Sequence, residues 1–170
     1  MELQEYQYFY EQSIERSKAL DSKIFAIFTI ECALVGATLY FAKDITLKPT
    51  NLLEFLFLAT VCGTLFTYVI AITYLLKAML GGKLSYIDFE ELNKTITTIN
   101  SLRCSVSVEN NIVDQKIYNT KCETYLTPII LNKEYNYKKD NKIAICISWT
   151  FICFCLFILS LIINIISKNL

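Results

Sequence analysis

Histidine is absent from this 170-residue chain. Zinc-hydrolase, Ser-His-Asp and Cys-His chemistry therefore lack their usual ligand or base, leaving carboxylates, Lys, Tyr and Cys. Net charge is absent too, because 16 Lys and Arg stand against 16 Asp and Glu. No strongly basic face argues for nucleic acid as a direct partner. With four Gly and two Pro, the chain shows no glycine-rich phosphate loop, low-complexity linker or internal repeat. Its seven Cys are odd in number and lack CxxC spacing, which speaks against a disulfide framework or a thiolate metal site. No metal, cofactor or catalytic residue is expected, and an enzyme is the least favoured class.

What the chain has in excess is apolar residues, 54% against 19% charged, where a soluble domain carries roughly 45–50% and about 25%. The excess is concentrated in residues 24–42, 52–80 and 143–167, and each block exceeds or approaches the about 20 helical residues that cross a hydrocarbon core. The expected fold is therefore an all-α membrane protein. It comprises an N-terminal amphipathic helix (1–23), transmembrane helix 1 (24–42), an outer loop (43–51), transmembrane helix 2 (52–80), a helical cytosolic insert (81–142) and transmembrane helix 3 (143–167). The first block follows a charged, aromatic segment and ends in no small-x-small site, so it is read as a span and not as a cleaved signal. Cys32, Cys62, Cys146, Cys153 and Cys155 fall inside spans as small apolar packing residues.

Positive charge prefers the cytoplasmic flanks of spans. Thirteen of the 16 Lys and Arg fall on one side; only Lys43, Lys48 and Lys168 fall on the other. The N-terminus and the insert are thus expected in the cytosol, and the C-terminus outside.

Before the first span, Leu3, Tyr6, Phe9, Tyr10 and Ile14 repeat at helical spacing with Glu2, Glu5, Glu11 and Glu15 between them. This apolar face suits packing on the insert better than an anionic leaflet, which would repel the glutamates. After Gly81-Gly82, Ser85 offers an N-cap with Asp88 three residues on. A helix with the stripe Phe89, Leu92, Ile96, Ile99 and Leu102 is expected to follow. Residues 104–108 alternate like a strand, and Glu109-Asn110-Asn111 reads as a turn. A weaker helical pattern over 112–127 is expected to break at Pro128, after which 129–142 runs as a helix into the third span. An insert of this size buries little core alone, so the N-terminal helix or a second subunit is expected against it.

Glu31 is the sharpest chemical signal. An ionisable side chain near the middle of a span faces a bundle interior or a water-filled cavity and marks a functional site by default. Thr38 lies two turns further along the same face, and Thr60, Thr64 and Thr67 make a second polar line. Cys146, Thr150, Cys153, Ser160, Asn164 and Ser167 make a third, weaker one. These lines either converge on an aqueous path or gate, or Glu31 is protonated and bonded to a hydroxyl while the Thr residues help helices pack. Ala33, Gly36 and Ala37 form a small-residue face turned from Glu31 that suits a tight helix contact. Lys133, Lys138 and Lys139, interleaved with Tyr135 and Tyr137, suit either a phosphate or nucleotide base, or a basic juxtamembrane collar.

Two juxtamembrane segments carry a resemblance. Tyr10, Ile14, Arg16 and Lys18 followed by Leu20-Asp21-Ser22-Lys23-Ile24, and Tyr125 followed by Asn132-Lys133-Glu134-Tyr135-Asn136-Tyr137-Lys138-Lys139-Asp140-Asn141-Lys142, resemble the membrane entries of small bacterial effectors of the SLATT and Pycsar membrane-effector type. Kiwa-type and CRISPR-linked small membrane proteins are similar in size and role. The resemblance implies an oligomeric inner-membrane effector that depolarises or permeabilises the membrane in antiphage defence (abortive infection), triggered by a cytosolic defence partner or a nucleotide signal. The chain departs from the usual two-span plan by its third span, and it has no recognisable nucleotide-sensing domain. The competing classes are a non-pore anchor or sensor that recruits a cytosolic partner, a small ion transporter and a holin-like toxin. The charge asymmetry predicts that, in intact cells, Cys104 and Cys122 resist an impermeant thiol reagent until the cells are lysed. Ready labelling before lysis would reverse the orientation.

Overall fold

The computed structural model describes residues 3–43, 49, 51–105 and 110–169, with side chains left out at 102–105, 110 and 168–169. Its elements are α1 (Leu3–Ala42), α2 (Leu52–Leu80), α3 (Phe89–Ser105) and α4 (Asn110–Asn169). The described residues contain no strand. Three of these helices, α1, α2 and α4, are long and apolar enough to cross a membrane. The amphipathic segment and the first span are one uninterrupted helix, as are the end of the insert and the third span.

Contacts divide the chain into two compact units, the first formed by Met1–Ala19 and Gly82–Tyr137, the second by Leu20–Gly81 and Lys138–Leu170. In the second unit the buried positions recur every seven residues. On α1 they are Ile24, Glu31 and Thr38, with Leu20, Ile27 and Leu34 between them; on α2, Thr64, Ala71 and Ala78; on α4, Lys139, Cys146, Cys153 and Ser160. A seven-residue repeat keeps one seam of a helix against its neighbours, as in a coiled coil. Small side chains at the seam let backbones approach, which drives association where no hydrophobic effect acts between helices. Cys146 Sγ donates to the Ala71 carbonyl at 3.3 Å, and Cys153 Sγ to that of Thr64 at 3.6 Å. Leu20, Ile24, Ile27, Leu75 and Ile143 complete the apolar core, with Ile72, Tyr74 and Trp149 packed against it.

Asn51 caps α2, accepting from the Glu54 amide at 2.8 Å and donating to the Glu54 carboxylate at 3.3 Å, a reciprocal pairing that satisfies an orphan helix donor. At the other end Lys142 Nζ donates to the Lys77 carbonyl at 2.9 Å. A cation there answers the partial negative charge of the helix C-terminus. Gly81 permits the approach, since a Cβ on it would come within 2.5 Å of that Nζ. Lys139, almost fully buried, pairs with Asp21 at 2.6 Å.

In the first unit, Tyr10, Ile87 and Tyr125 form a buried aromatic-aliphatic cluster with Leu3, Tyr6, Ile14 and Ile129 around it. The Tyr10 and Tyr125 rings meet edge to face with centroids 5.8 Å apart, and Gln7 donates to the Tyr125 hydroxyl. Gly82 takes φ +146, which strains any residue with a Cβ, and a Cβ there would also come 3.0 Å from the Tyr135 ring.

Three local expectations are corrected. Ser85 does not cap α3: Asp88 does, accepting from the amides of Glu90 and Glu91 at 3.0 Å each. The reason is tertiary. Asn132 accepts from the Ser85 amide and donates to the Ser85 carbonyl, and the Ile87 amide donates to the Tyr10 hydroxyl, so residues 85–87 stay extended. Pro128 does not break the chain's helical course either, for it lies inside α4. It removes one helical hydrogen bond, to the Thr124 carbonyl, at a cost of about 3 kcal/mol, and the burial of Tyr125, Pro128 and Asn132 offsets it. Finally, Cys104 and Ser105 end α3 while Asn110 and Asn111 open α4, so neither pair belongs to a strand or turn; residues 106–109 lie outside the described residues. So does most of the expected 43–51 loop.

The Ala71 contact predicts that Ala71→Leu overpacks the seam. Unfolding in detergent should be easier by about 1–3 kcal/mol, read as a lower melting temperature. An unchanged melting temperature would show that the α2–α4 contact is loose.

Candidate functional site

Glu31 has 0% relative exposure. It sits on the buried seam of α1 because the seven-residue spacing from Ile24 to Thr38 places it there. Thr150 of α4 donates its hydroxyl to Glu31 Oε1 at 2.5 Å. The same hydroxyl lies 3.0 Å from the Cys146 carbonyl. One hydroxyl hydrogen serves one acceptor at a time, so the two contacts are alternatives for the Thr150 donor. The other carboxyl oxygen, Oε2, is buried with no hydrogen-bond partner among the described residues.

Thr38, Thr60, Thr64 and Thr67 are buried, and each is closed on its own helix, whereas Thr150 is half-buried. Thr38 donates to the Leu34 carbonyl, Thr60 to Phe57, Thr64 to Thr60 and Thr67 to Thr64, at 2.7–2.9 Å. Such back-bonding satisfies a hydroxyl without a second helix. The seam is thus a buried row of hydroxyls and thiols around one carboxyl. Ala33 and Gly36 are exposed within the chain and Ala37 is half-buried. A Cβ on Gly36 would meet nothing within 4 Å, so this face is open to a neighbour.

The lysine-tyrosine segment is dispersed in its contacts. Lys139 is held by Asp21, Tyr135 lies against Gly82, and Tyr137 is 70% exposed. Lys138 is exposed, and Lys133 borders a groove of the first unit. Among the described residues no cluster of His, Cys, Asp and Glu could hold a metal ion. Two features escaped the sequence reading. Thr150 was visible only as one member of a polar line, and Asn132 and Asn136 only as members of the juxtamembrane segment that carries the resemblance.

Fold and site define an all-helical protein of three membrane-capable helices with a buried polar seam around one carboxyl. Comparison of the chain with protein-family models, curated proteins and solved structures finds no match.

The Thr150–Glu31 bond predicts a coupled pair. Thr150→Val leaves Oε1 without a donor and should lower stability by about 0.6–2 kcal/mol, but by much less in a Glu31→Leu background. Additive effects in a denaturation cycle on the four proteins would show that the two side chains do not interact.

Proposed function

We propose that this chain is an oligomeric membrane effector of the small bacterial antiphage type, which sits shut in the inner membrane and depolarises or permeabilises it when infection is sensed. In this reading residues 1–23 and the 81–142 insert face the cytosol and the C-terminus lies outside, as the lysine asymmetry suggests. The observation that carries the reading is the unpartnered Oε2 of Glu31 in a fully buried position. An unmet acceptor costs about 1–3 kcal/mol, and carboxyls at membrane depth mark ion or proton pathways. The threonines beside it are satisfied internally, so the seam conducts nothing while the helices stay in register. A turn of α1 or α4 would bring Glu31 and the Thr60, Thr64 and Thr67 hydroxyls to a shared path. Three helices enclose almost no lumen, so that path needs several copies, and the open Ala33/Gly36 face offers the contact.

A partner-recruiting anchor is favoured by a different observation: Tyr86 and Phe89 of the first unit, three residues apart, are both more than half exposed, and neighbouring exposed apolar side chains suit contact with a partner.

The deciding experiment measures expression, oligomer size and membrane potential during infection for Glu31→Leu, Glu31→Gln and Gly36→Leu in the same cells. Glu31→Leu should insert and assemble yet abolish depolarisation, Glu31→Gln should keep part of it, and Gly36→Leu should disperse the oligomer because its new side chain meets nothing within its own chain. Full depolarisation by a well-assembled Glu31→Leu protein, or by Glu31→Gln if the leucine variant fails to assemble, would remove Glu31 from the path; absence of depolarisation by the assembled wild type would overturn the effector reading in favour of the anchor.

A further inference from the structure

In the first unit α1 and α4 leave between them an open-sided groove of about 630 Å³. Phe9, Glu15 and Arg16 contribute from α1; Ile129, Lys133 and Asn136 contribute from α4. Asn136 is the unusual member. It is 1% exposed, and its Nδ2 donates to the Ser13 carbonyl at 2.7 Å. Its Oδ1 is buried without a hydrogen-bond partner among the described residues. Buried amide oxygens are nearly always paired, so an acceptor left open in a groove wall asks for a donor from outside the chain.

The chemistry around it narrows what that donor belongs to. Arg16 and Lys133 bring two cations to one groove, which suits a phosphate. Glu15 adds a carboxylate, which accepts hydrogen bonds and disfavours a bare anion. Phe9 and Ile129 offer apolar surface. We propose that this groove binds a phosphate-bearing ligand that also carries N–H or O–H donors, the phosphate meeting Arg16 and Lys133 and the donors meeting Glu15 and the Oδ1 of Asn136. Two sources share that chemistry: an anionic phospholipid headgroup and a soluble organic phosphate. The apolar walls, and the position of Arg16 only eight residues before Ile24 where the first apolar block begins, favour the lipid. Asn136 lines the groove, and its Oδ1 is the lining acceptor left without a partner among the described residues. The proposal is independent of the seam around Glu31.

Full-length protein in detergent is titrated by native mass spectrometry with three probes: phosphatidylglycerol, whose headgroup carries hydroxyl donors; phosphatidylcholine, whose headgroup carries none; and adenosine monophosphate. The wild type should retain phosphatidylglycerol in preference to phosphatidylcholine. Lys133→Gln, at an exposed position, should weaken that retention about fivefold, the loss of one cation near a phosphate. Asn136→Leu should abolish the preference, whereas Lys116→Gln, on α4 outside the groove, should not change it. Adenosine monophosphate binding that depends on Lys133, with no preference between the two lipids, would also support the groove and assign the soluble source. Failure of both phosphatidylglycerol and adenosine monophosphate, or equal effects of Lys133→Gln and Lys116→Gln, overturns the proposal. Melting curves accompany each variant, and if Asn136→Leu does not fold, the Lys133 and Lys116 pair decides alone.

Discussion

A carboxyl group enclosed among apolar helices has to find hydrogen-bond partners there or leave the interior, and the placing of Glu31 governs much of the second unit. Its Oε1 meets the Thr150 hydroxyl, which fixes the face that α4 presents to α1. The same turn of α4 carries Cys146, whose thiol reaches the Ala71 carbonyl, and two turns on Cys153 reaches that of Thr64. Alanine, threonine and cysteine are small enough for these approaches. Bulkier residues at Ala71 or Thr64 would hold α2 and α4 apart. The repeat of seven then carries one register along all three helices.

The first unit is organised by polar side chains instead. Asn132 spends one acceptor and two donors on the Ser85 amide, the Ser85 carbonyl and the Ser13 hydroxyl, so a single amide replaces the strand that would otherwise hold an extended segment. The Tyr10 hydroxyl takes the Ile87 amide in the same way. A small domain with little apolar core gains order from such contacts, because each unmet backbone group would be costly to bury. Its exposed aromatics do not serve this internal framework.

Both units leave one buried acceptor open, Oε2 of Glu31 and Oδ1 of Asn136. Polar groups of this kind persist when something beyond stability retains them. The first lies on the seam whose threonines are bonded within their own helices, and the second belongs to a residue lining the groove that Arg16, Glu15 and Lys133 also line.

Several features are local properties of the chain and were legible before any folding. The three long helices follow from apolar runs, and Glu31 stands out as the lone acid inside the first of those runs. The Thr38, Thr60, Thr64 and Thr67 lines follow from helical periodicity. Sequence spacing also placed the small face of Ala33, Gly36 and Ala37, although not what covers it. Other features depended on groups distant in the chain. Thr150 was one hydroxyl among several on the third span, and its choice by Glu31 reflects the rotation of α4 against α1. Asp88 displaced Ser85 as the cap because Asn132 and Tyr10 hold the backbone of residues 85–87. Lys139 left the basic segment for Asp21, and Pro128 stayed within a helix because its neighbours are buried. Periodicity determines which side of a helix is polar, since it needs only the chain itself; which polar group meets which is decided by tertiary packing, since a hydrogen bond depends on distances of a few tenths of an ångström between segments the sequence holds far apart.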